Sequence, residues 1–228
     1  MIRVSSLGLI VICIVLLSPL GSAQNLLKYR DFQFGMNVEA VLKQTKMDAS
    51  SAKTAFSVPD LIQTVRWDRE GYFSAPGEID PVRSLRFDFY NNQLFKIVAT
   101  YSARRLEGMT ASDLIESISK VYGAASTPEE TIIVSAYTGY EDRQKVLARW
   151  DDEEVTYSLF QSSTGGEFGL VGSSKKLDGS ALLSIREAQR LDVLAAPQRE
   201  IERRQKLAEE WRAQEEKARS VNLPNFHP

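Results

Sequence analysis

Two stretches of the chain begin with the same short pattern, and this repetition constrains the fold more than any other feature. Gly35-Met36 and Gly108-Met109 are each followed by a residue suited to cap a helix, Asn37 in the first stretch and Thr110 in the second. The side-chain oxygens of asparagine and threonine accept hydrogen bonds from the free amides of a first helical turn. An acidic residue and an apolar pair follow in both stretches, so the pattern predicts two short amphipathic helices.

Strand-like segments follow each predicted helix. Between Leu85 and Tyr101, apolar and polar residues alternate on both sides of Asn91-Asn92, which predicts a hairpin with one buried and one solvated face. Further strands are predicted at Ile62–Trp67, Thr131–Tyr137, Lys145–Trp150, Val155–Phe160 and Phe168–Ser174. The sequence therefore predicts an α+β fold of two tandem units, each a short helix with an antiparallel β-meander, followed by a long charged C-terminal helix.

The C-terminal stretch predicts two helical parts of different character. Apolar residues up to Leu194 favour a helix over residues 181–196 that docks on the body, and Pro197 suits the first turn of a second helix. After Pro197 the chain is mostly charged, and acids placed four positions before bases, such as Glu200 before Arg204, favour a helix. We expect this part to be an arm of the coiled-coil type.

The first residues have the pattern of an export signal. Arg3 supplies a positive charge, residues 7–17 are apolar apart from one glycine, and Gly21-Ser22-Ala23 is a small-residue site of the kind that signal peptidase cleaves. The apolar run is shorter than the ~20 residues that span a bilayer. We therefore expect cleavage after Ala23 and a periplasmic or secreted product. A leader retained as a membrane anchor is the alternative.

These features divide the chain into four parts. We predict a signal peptide at 1–23, a first α+β unit at 24–104, a second α+β unit at 105–180, and a C-terminal helical segment with a charged arm and a frayed end at 181–228.

Composition argues against several classes of protein. Cys13 is the single cysteine and lies in the leader, so the processed chain offers no disulfide and no thiolate metal site. The formal net charge of -2 lacks the basic surplus of nucleic-acid-binding proteins. The single histidine, His227, lies next to the C-terminus, where no second group can hold it in place. We predict no catalytic residue, no cofactor and no metal site, and we expect the protein not to be an enzyme.

Acidic residues offer the one catalytic alternative. A carboxylate-dependent hydrolase of an extracellular or cell-wall polymer could use Asp88 or the acidic cluster that starts at Asp151. Such an enzyme needs two acids ~5–10 Å apart across one cleft. Residues 151–154 are consecutive, so their side chains alternate between opposite faces of an extended chain, and a solvated turn is the favoured interpretation of this cluster.

Spare apolar residues indicate where another protein could bind. Tyr72 and Phe73 lie in a turn-rich segment, and aromatic side chains on loops are frequent anchors at protein interfaces. A short strand that packs these two rings inward is the favoured alternative. In the charged tail, Ile201, Leu207 and Trp211 are the large apolar residues, and the last two share one helical face. The predicted function is an exported, non-enzymatic protein that binds another protein or has a structural role in the envelope.

The helix openings resemble the SmpA/OmlA-type domains of small envelope proteins and the related tandem units of β-lactamase-inhibitor proteins. The matching residues are Gly35, Met36, Val41, Gly108, Met109, Thr110, Leu114, Tyr122 and Gly123. The resemblance implies helices packed on an antiparallel sheet, with roles in partner binding and envelope assembly. Two features depart from these families: the leader has no lipobox, and a processed chain without cysteine cannot form the disulfides of the inhibitor proteins.

Overall fold

The structure is a computed structural model that describes residues 26–68, 80–137, 141–163, 166–225 and 227. The predicted leader and the aromatic pair Tyr72 and Phe73 lie outside these ranges, so both remain predictions. The described helices are α1 (Val38–Thr45), α2 (Ala111–Tyr122) and α3 (Lys175–Asn222). The strands are β1 (Lys28–Tyr29), β2 (Phe32–Gln33), β3 (Ala52–Phe56), β4 (Ile62–Asp68), β5 (Val82–Tyr90), β6 (Gln93–Tyr101), β7 (Thr131–Ser135), β8 (Asp142–Asp151), β9 (Val155–Gln161) and β10 (Phe168–Ser174).

Eight of these strands form one curled antiparallel sheet. Its order is β3-β4-β5-β6-β10-β9-β8-β7, so that β6 and β10 pair at the centre, with Val98 opposite Val171. β1 and β2 form a separate small hairpin. The predicted α+β class and the long C-terminal helix are therefore confirmed.

Both predicted short helices form, and each begins at its predicted cap. Asn37 Oδ1 accepts a hydrogen bond from the amide of Ala40 at 2.8 Å. The Asp113 carboxylate accepts the amide of Thr110 at 2.7 Å while Thr110 Oγ1 accepts the amide of Asp113, a reciprocal capping box that lowers the pKa of Asp113. These bonds satisfy amides that the first turn of a helix leaves free.

The predicted hairpin also forms, with β5 and β6 paired in antiparallel register. Asn91 and Asn92 turn the chain with φ values of 45° and 64°, a left-handed conformation that asparagine tolerates better than most residues. The Asn91 side chain also accepts the amide of Leu61 at 3.0 Å, which holds the preceding loop against the turn.

One face of the sheet carries the main hydrophobic core, covered by α1, α2 and the small β1–β2 hairpin. Phe87, Phe89, Trp150 and Tyr157 on this face are at most 1% exposed. The ring of Tyr157 stacks on Tyr122 of α2 with centroids 4.4 Å apart. Aromatic side chains thus form the contact between α2 and the sheet. Each aromatic side chain buries a large apolar area, so a few of them contribute much of the packing energy.

The expectation that the opposite face of the β5–β6 hairpin is solvated is wrong. Asp88 has no exposed surface and Lys96 is 5% exposed, because the first turns of α3 and the edge strand β7 cover this face. Arg86 pairs with Asp88 at 3.0 Å and also donates to the carbonyl of Val134 in β7. Charged residues can be buried on this face because each has a partner of opposite charge.

α3 is one continuous helix, and the expected second helix beginning at Pro197 is not observed. A proline inside a helix removes one backbone donor. Here the Arg199 guanidinium spans the proline and donates to both the carboxylate and the carbonyl of Asp192, at 2.7 and 2.8 Å. Among the described residues, no helix combines the length and apolarity needed to cross a membrane.

Candidate protein-binding arm

The first turns of α3 hold the helix on the body of the protein. Four small or apolar side chains face the sheet and are buried: Ala181, Ser184, Ile185 and Ala188. Ala181 and Ile185 pack with Ile62 and Phe95 of the sheet. Polar contacts add to this apolar patch, because Asp178 forms an ion pair with Lys96 and Gln189 Nε2 donates to the carbonyl of Ala136 at 2.7 Å.

Beyond Gln189 the helix leaves the body. Residues 192–222, which we call the arm, are exposed except for Glu200, which is partly exposed. At a rise of 1.5 Å per residue the arm is about 46 Å long. A helix of this length that packs on none of the other described residues of its chain is either a spacer or a surface for another molecule.

The arm places apolar side chains in solvent. Ile201 is 49% exposed, Leu207 is 42% exposed and Trp211 is 66% exposed, so all three predicted contact residues are accessible. Leu207 and Trp211 lie on one unbroken helix four residues apart, hence on a shared face, as predicted.

Two further apolar residues lie on the arm: Leu194, which the sequence pattern assigned to the docked part of the helix, and Val193, which it did not single out. The apolar pattern up to Leu194 suggested docking on the body, but Leu194 is 63% exposed and Val193 is 72% exposed. The amphipathic spacing was visible in the sequence. The point at which the helix leaves the body was not, because it depends on where the sheet ends in space.

With these two residues and the exposed Val221, the arm has an apolar stripe, which we define as Val193, Leu194, Ile201, Leu207, Trp211 and Val221. At 3.6 residues per turn these six positions fall within one half of the helix circumference. The other half of the arm has no large apolar side chain. The stripe is interrupted by charged residues such as Arg204, so it is weaker than the seam of a regular coiled coil.

Ion pairs stabilise the arm. Glu200 pairs with Arg204 at 2.7 Å, as predicted, and also with Arg203 at 2.8 Å. These two guanidinium groups lower the pKa of Glu200 to about 2. Lys206 Nζ lies 4.0 Å from Glu210 Oε1, one turn further along the arm. Exposed pairs of this kind each contribute little, so they bias the arm toward helix without holding it rigidly.

A second accessible surface is an apolar groove between α2 and the β1–β2 hairpin, with a volume of about 340 Å³. Its lining includes Tyr29, Tyr101, Ile118 and Val121, of which Val121 is 61% exposed. Burial raises the pKa of both tyrosine hydroxyls, because the charged phenolate is disfavoured there. The lining of the groove is mostly apolar and includes one charged side chain, Arg30, which forms an ion pair with Asp80.

The carboxylates named for the hydrolase alternative are not brought together. Asp88, Lys96, Ser173, Thr156 and Asp151 stand in one row of paired residues across five neighbouring strands. Four strand spacings place Asp88 and Asp151 about 19 Å apart along the sheet. Asp88 is buried in its pair with Arg86, and Asp151 pairs with Lys175 at 2.9 Å.

Residues 152–154 of the acidic cluster form the turn between β8 and β9, as the sequence indicated, and Asp151 is the last residue of β8. Asp152 Oδ1 accepts the amides of Glu154 and Val155, at 2.8 and 2.7 Å. Asp152 thus shapes the backbone of the turn, and the four acidic residues are exposed.

Metal ligation has little support in the described part of the chain. It contains no group of three or more histidine, cysteine or carboxylate side chains placed to hold a metal ion. His227 is exposed.

Comparison with known proteins does not assign the chain to a family. No protein-family model matches the chain, and neither the curated proteins nor the solved structures yield a match.

Proposed function

We propose that this is an exported, non-enzymatic protein that binds another protein through the arm of α3. The observation that carries the proposal is the exposure of Ile201, Leu207 and Trp211 on a helix that has already left the body. Exposed aliphatic and aromatic side chains on one helical face are the usual anchors by which a helix enters a partner's groove or another helix.

The finer architecture belongs to the same proposal. The body consists of two tandem units, α1 with β3–β6 and α2 with β7–β10, each a helix followed by four strands. The strand order supports this division, because it runs outward in mirrored fashion from the central β6–β10 pair. Gly35 and Gly108 add support, since each adopts a positive φ, 89° and 81°, two residues before a helix cap.

The export proposal rests on the leader sequence. An apolar run of this length followed by small residues is typical of a cleaved signal. Intact-mass measurement of the protein recovered from its native cells tests this point. The mass of a chain that begins at Gln24 supports export with cleavage. The mass of a chain that retains residues 1–23 contradicts cleavage.

Site-specific photo-crosslinking in the cells that produce the protein tests the binding proposal. A photoreactive phenylalanine derivative replaces Trp211 in one variant and Ala213 in another. Position 213 lies on the opposite side of the same helix and is also exposed. We expect a discrete protein adduct from position 211 and none from 213.

A second variant controls for the loss of the Trp211 side chain. The photoreactive group at Leu207 keeps Trp211 in place and tests the same face. Failure of both stripe positions to form an adduct contradicts the proposal, as does equal labelling from position 213.

A further inference from the structure

The face of the sheet that α3 and β7 cover contains a polar cavity with a volume of about 260 Å³. Strands β6, β10, β9 and β8 form its floor, and its walls include Leu182 of α3 and Ile133 of β7. The volume equals the space of about nine water molecules in the liquid. The cavity therefore suits a small ligand and not a segment of another protein.

The strand register arranges the floor of this cavity as two adjacent rows of side chains. In one row Lys96, Ser173 and Thr156 stand side by side on β6, β10 and β9. In the next row Ser158 on β9 stands beside Arg149 on β8. Three hydroxyl groups thus lie between a lysine at one end and an arginine at the other. The two basic residues are three strand spacings apart, about 14 Å across the sheet.

Basic side chains outnumber acidic ones in the described lining of the cavity. The charged residues that line it are Lys96, Arg143, Arg149 and Asp178. The acids that pair with the two arginines, Glu141 and Glu130, lie outside this lining. The wall of the cavity therefore presents more positive than negative charge, which is the complement of an anion.

The basic groups at the two ends of the floor retain donors for a ligand. The Lys96 ammonium group, on a side chain that is 6% exposed, pairs with Asp178 at 2.8 Å and donates to one backbone carbonyl at 3.3 Å. These contacts use two of its three N–H groups. The Arg149 guanidinium contacts Glu130 and Ser158, which leaves further N–H groups of its five.

The hydroxyl group of Thr156 is the second observation that indicates a ligand. Thr156 Oγ1 is buried and has no hydrogen-bond partner among the described residues. A buried hydroxyl without a partner destabilises a fold, so such groups are uncommon in native proteins. Valine has nearly the same shape without this cost. A threonine at this position is explained by a hydroxyl that donates to a molecule in the cavity.

We infer that this cavity binds a small oxyanion, a molecule with a phosphate or carboxylate group, between Lys96 and Arg149. Lysine and arginine bind these groups through charged hydrogen bonds, and the hydroxyl groups between them supply further donors. The inference concerns the sheet and goes beyond the proposed binding role of the arm. Either one can therefore fail without the other.

Calorimetric titration of the purified protein tests the cavity with inorganic phosphate, succinate and, as a control, sodium chloride at equal ionic strength. We expect a heat of binding and a raised thermal unfolding midpoint with phosphate, succinate or both, and neither effect with chloride. A response to phosphate alone assigns a phosphate group to the ligand, and a response to succinate alone assigns a carboxylate. No binding of either anion at millimolar concentration, or an equal effect of chloride, overturns the inference.

The variant Thr156→Val separates a binding role of the hydroxyl from a structural one. We expect the unfolding midpoint without anion to stay the same or rise, because the hydroxyl has no partner among the described residues. We expect the Kd for the anion to rise about tenfold, because a hydrogen bond to a charged group is lost. Thr64→Val is the matched control, since Thr64 is also half-buried, lies in the same row on β4 and is not among the described residues that line the cavity. Equal effects of the two variants on the Kd overturn the inference.

A second variant, Ser173→Ala, keeps the test decisive if Thr156→Val does not fold. Ser173 lies between Lys96 and Thr156 in the same row, and its replacement by alanine removes a single oxygen atom. We expect a folded protein whose Kd for the anion is also raised. A folded Ser173→Ala variant with an unchanged Kd overturns the inference.

Discussion

Lys96 Nζ lies 2.8 Å from Asp178 Oδ1, and this ion pair joins the central strand β6 to the first turn of α3. The lysine side chain is 6% exposed, whereas the aspartate side chain is 23% exposed. Water reaches part of the carboxylate, although its Oδ1 atom is buried, and hardly reaches the ammonium group, so the two partners depend on each other unequally. The Lys96 ammonium group has one further acceptor, the carbonyl of Ile133 at 3.3 Å.

Removing the acid is expected to cost more than removing the base. Asp178→Asn leaves a buried ammonium group with a weak partner and lowers the free energy of unfolding by about 2 kcal/mol. Lys96→Met leaves Asp178 Oδ1 buried without its ion-pair partner while water still reaches the rest of the carboxylate, and is expected to cost about 1 kcal/mol. Urea unfolding of both variants checks this order. Equal losses of unfolding free energy in the two variants contradict the unequal burial of Lys96 and Asp178.

Two glycines, one in a tightly packed strand and one in an open part of a helix, are expected to respond to alanine with opposite changes in stability. A Cβ atom at Gly172 in β10 would overlap Cε1 of the buried Tyr157 ring, so Gly172→Ala forces that ring to move. We expect a loss of about 1–3 kcal/mol. Gly179 in α3 has no atom within 4 Å of its Cβ position, and Gly179→Ala is expected to stabilise the protein by about 0.5–1 kcal/mol. Chemical denaturation distinguishes the two signs, and a neutral Gly172→Ala contradicts the packing.

Acid is expected to reduce the helicity of the arm. The pKa of Glu200 falls from 4.5 to about 2 because Arg203 and Arg204 donate hydrogen bonds to it. A lowered pKa means that the stabilisation is complete above pH 4.5 and is lost as the pH falls toward 2. Circular dichroism at 222 nm, with a chain ending at Pro197 subtracted, follows this loss. Glu200→Gln is expected to begin with lower arm helicity and to change less across the same range, and an unchanged titration argues against these pairs.

Local patterns in the sequence were sufficient to predict much of the fold. Alternation around Asn91-Asn92 predicted the central hairpin because burial of one face imposes a period of two residues. Asn37 and Thr110 predicted both helix starts because capping involves neighbours only three residues away. The short strand β3 (Ala52–Phe56) was not predicted, since Phe56 is its one large apolar side chain and the strand depends on pairing with β4.

The parts of the fold that the sequence did not predict depend on contacts between residues that are distant in the sequence. Asp88 and Lys96 have the pattern of solvated residues, and only the covering by α3 and β7 buries them. For the candidate site, Ile201, Leu207 and Trp211 were predicted because they stand out in a charged segment. Leu194 was misassigned because its exposure depends on where α3 leaves the sheet. Tyr72 and Phe73 remain predicted contacts.

The most direct test of the account is the thermal unfolding midpoint of a chain that lacks residues 198–228. The central claim is that the apolar side chains of the arm serve another molecule and not the fold of their own body. We predict a midpoint within about 2 °C of the full chain, since a surface change that touches no buried contact alters stability by less than about 0.5 kcal/mol. A midpoint lowered by about 10 °C or more, or a truncated chain that fails to fold, contradicts the claim.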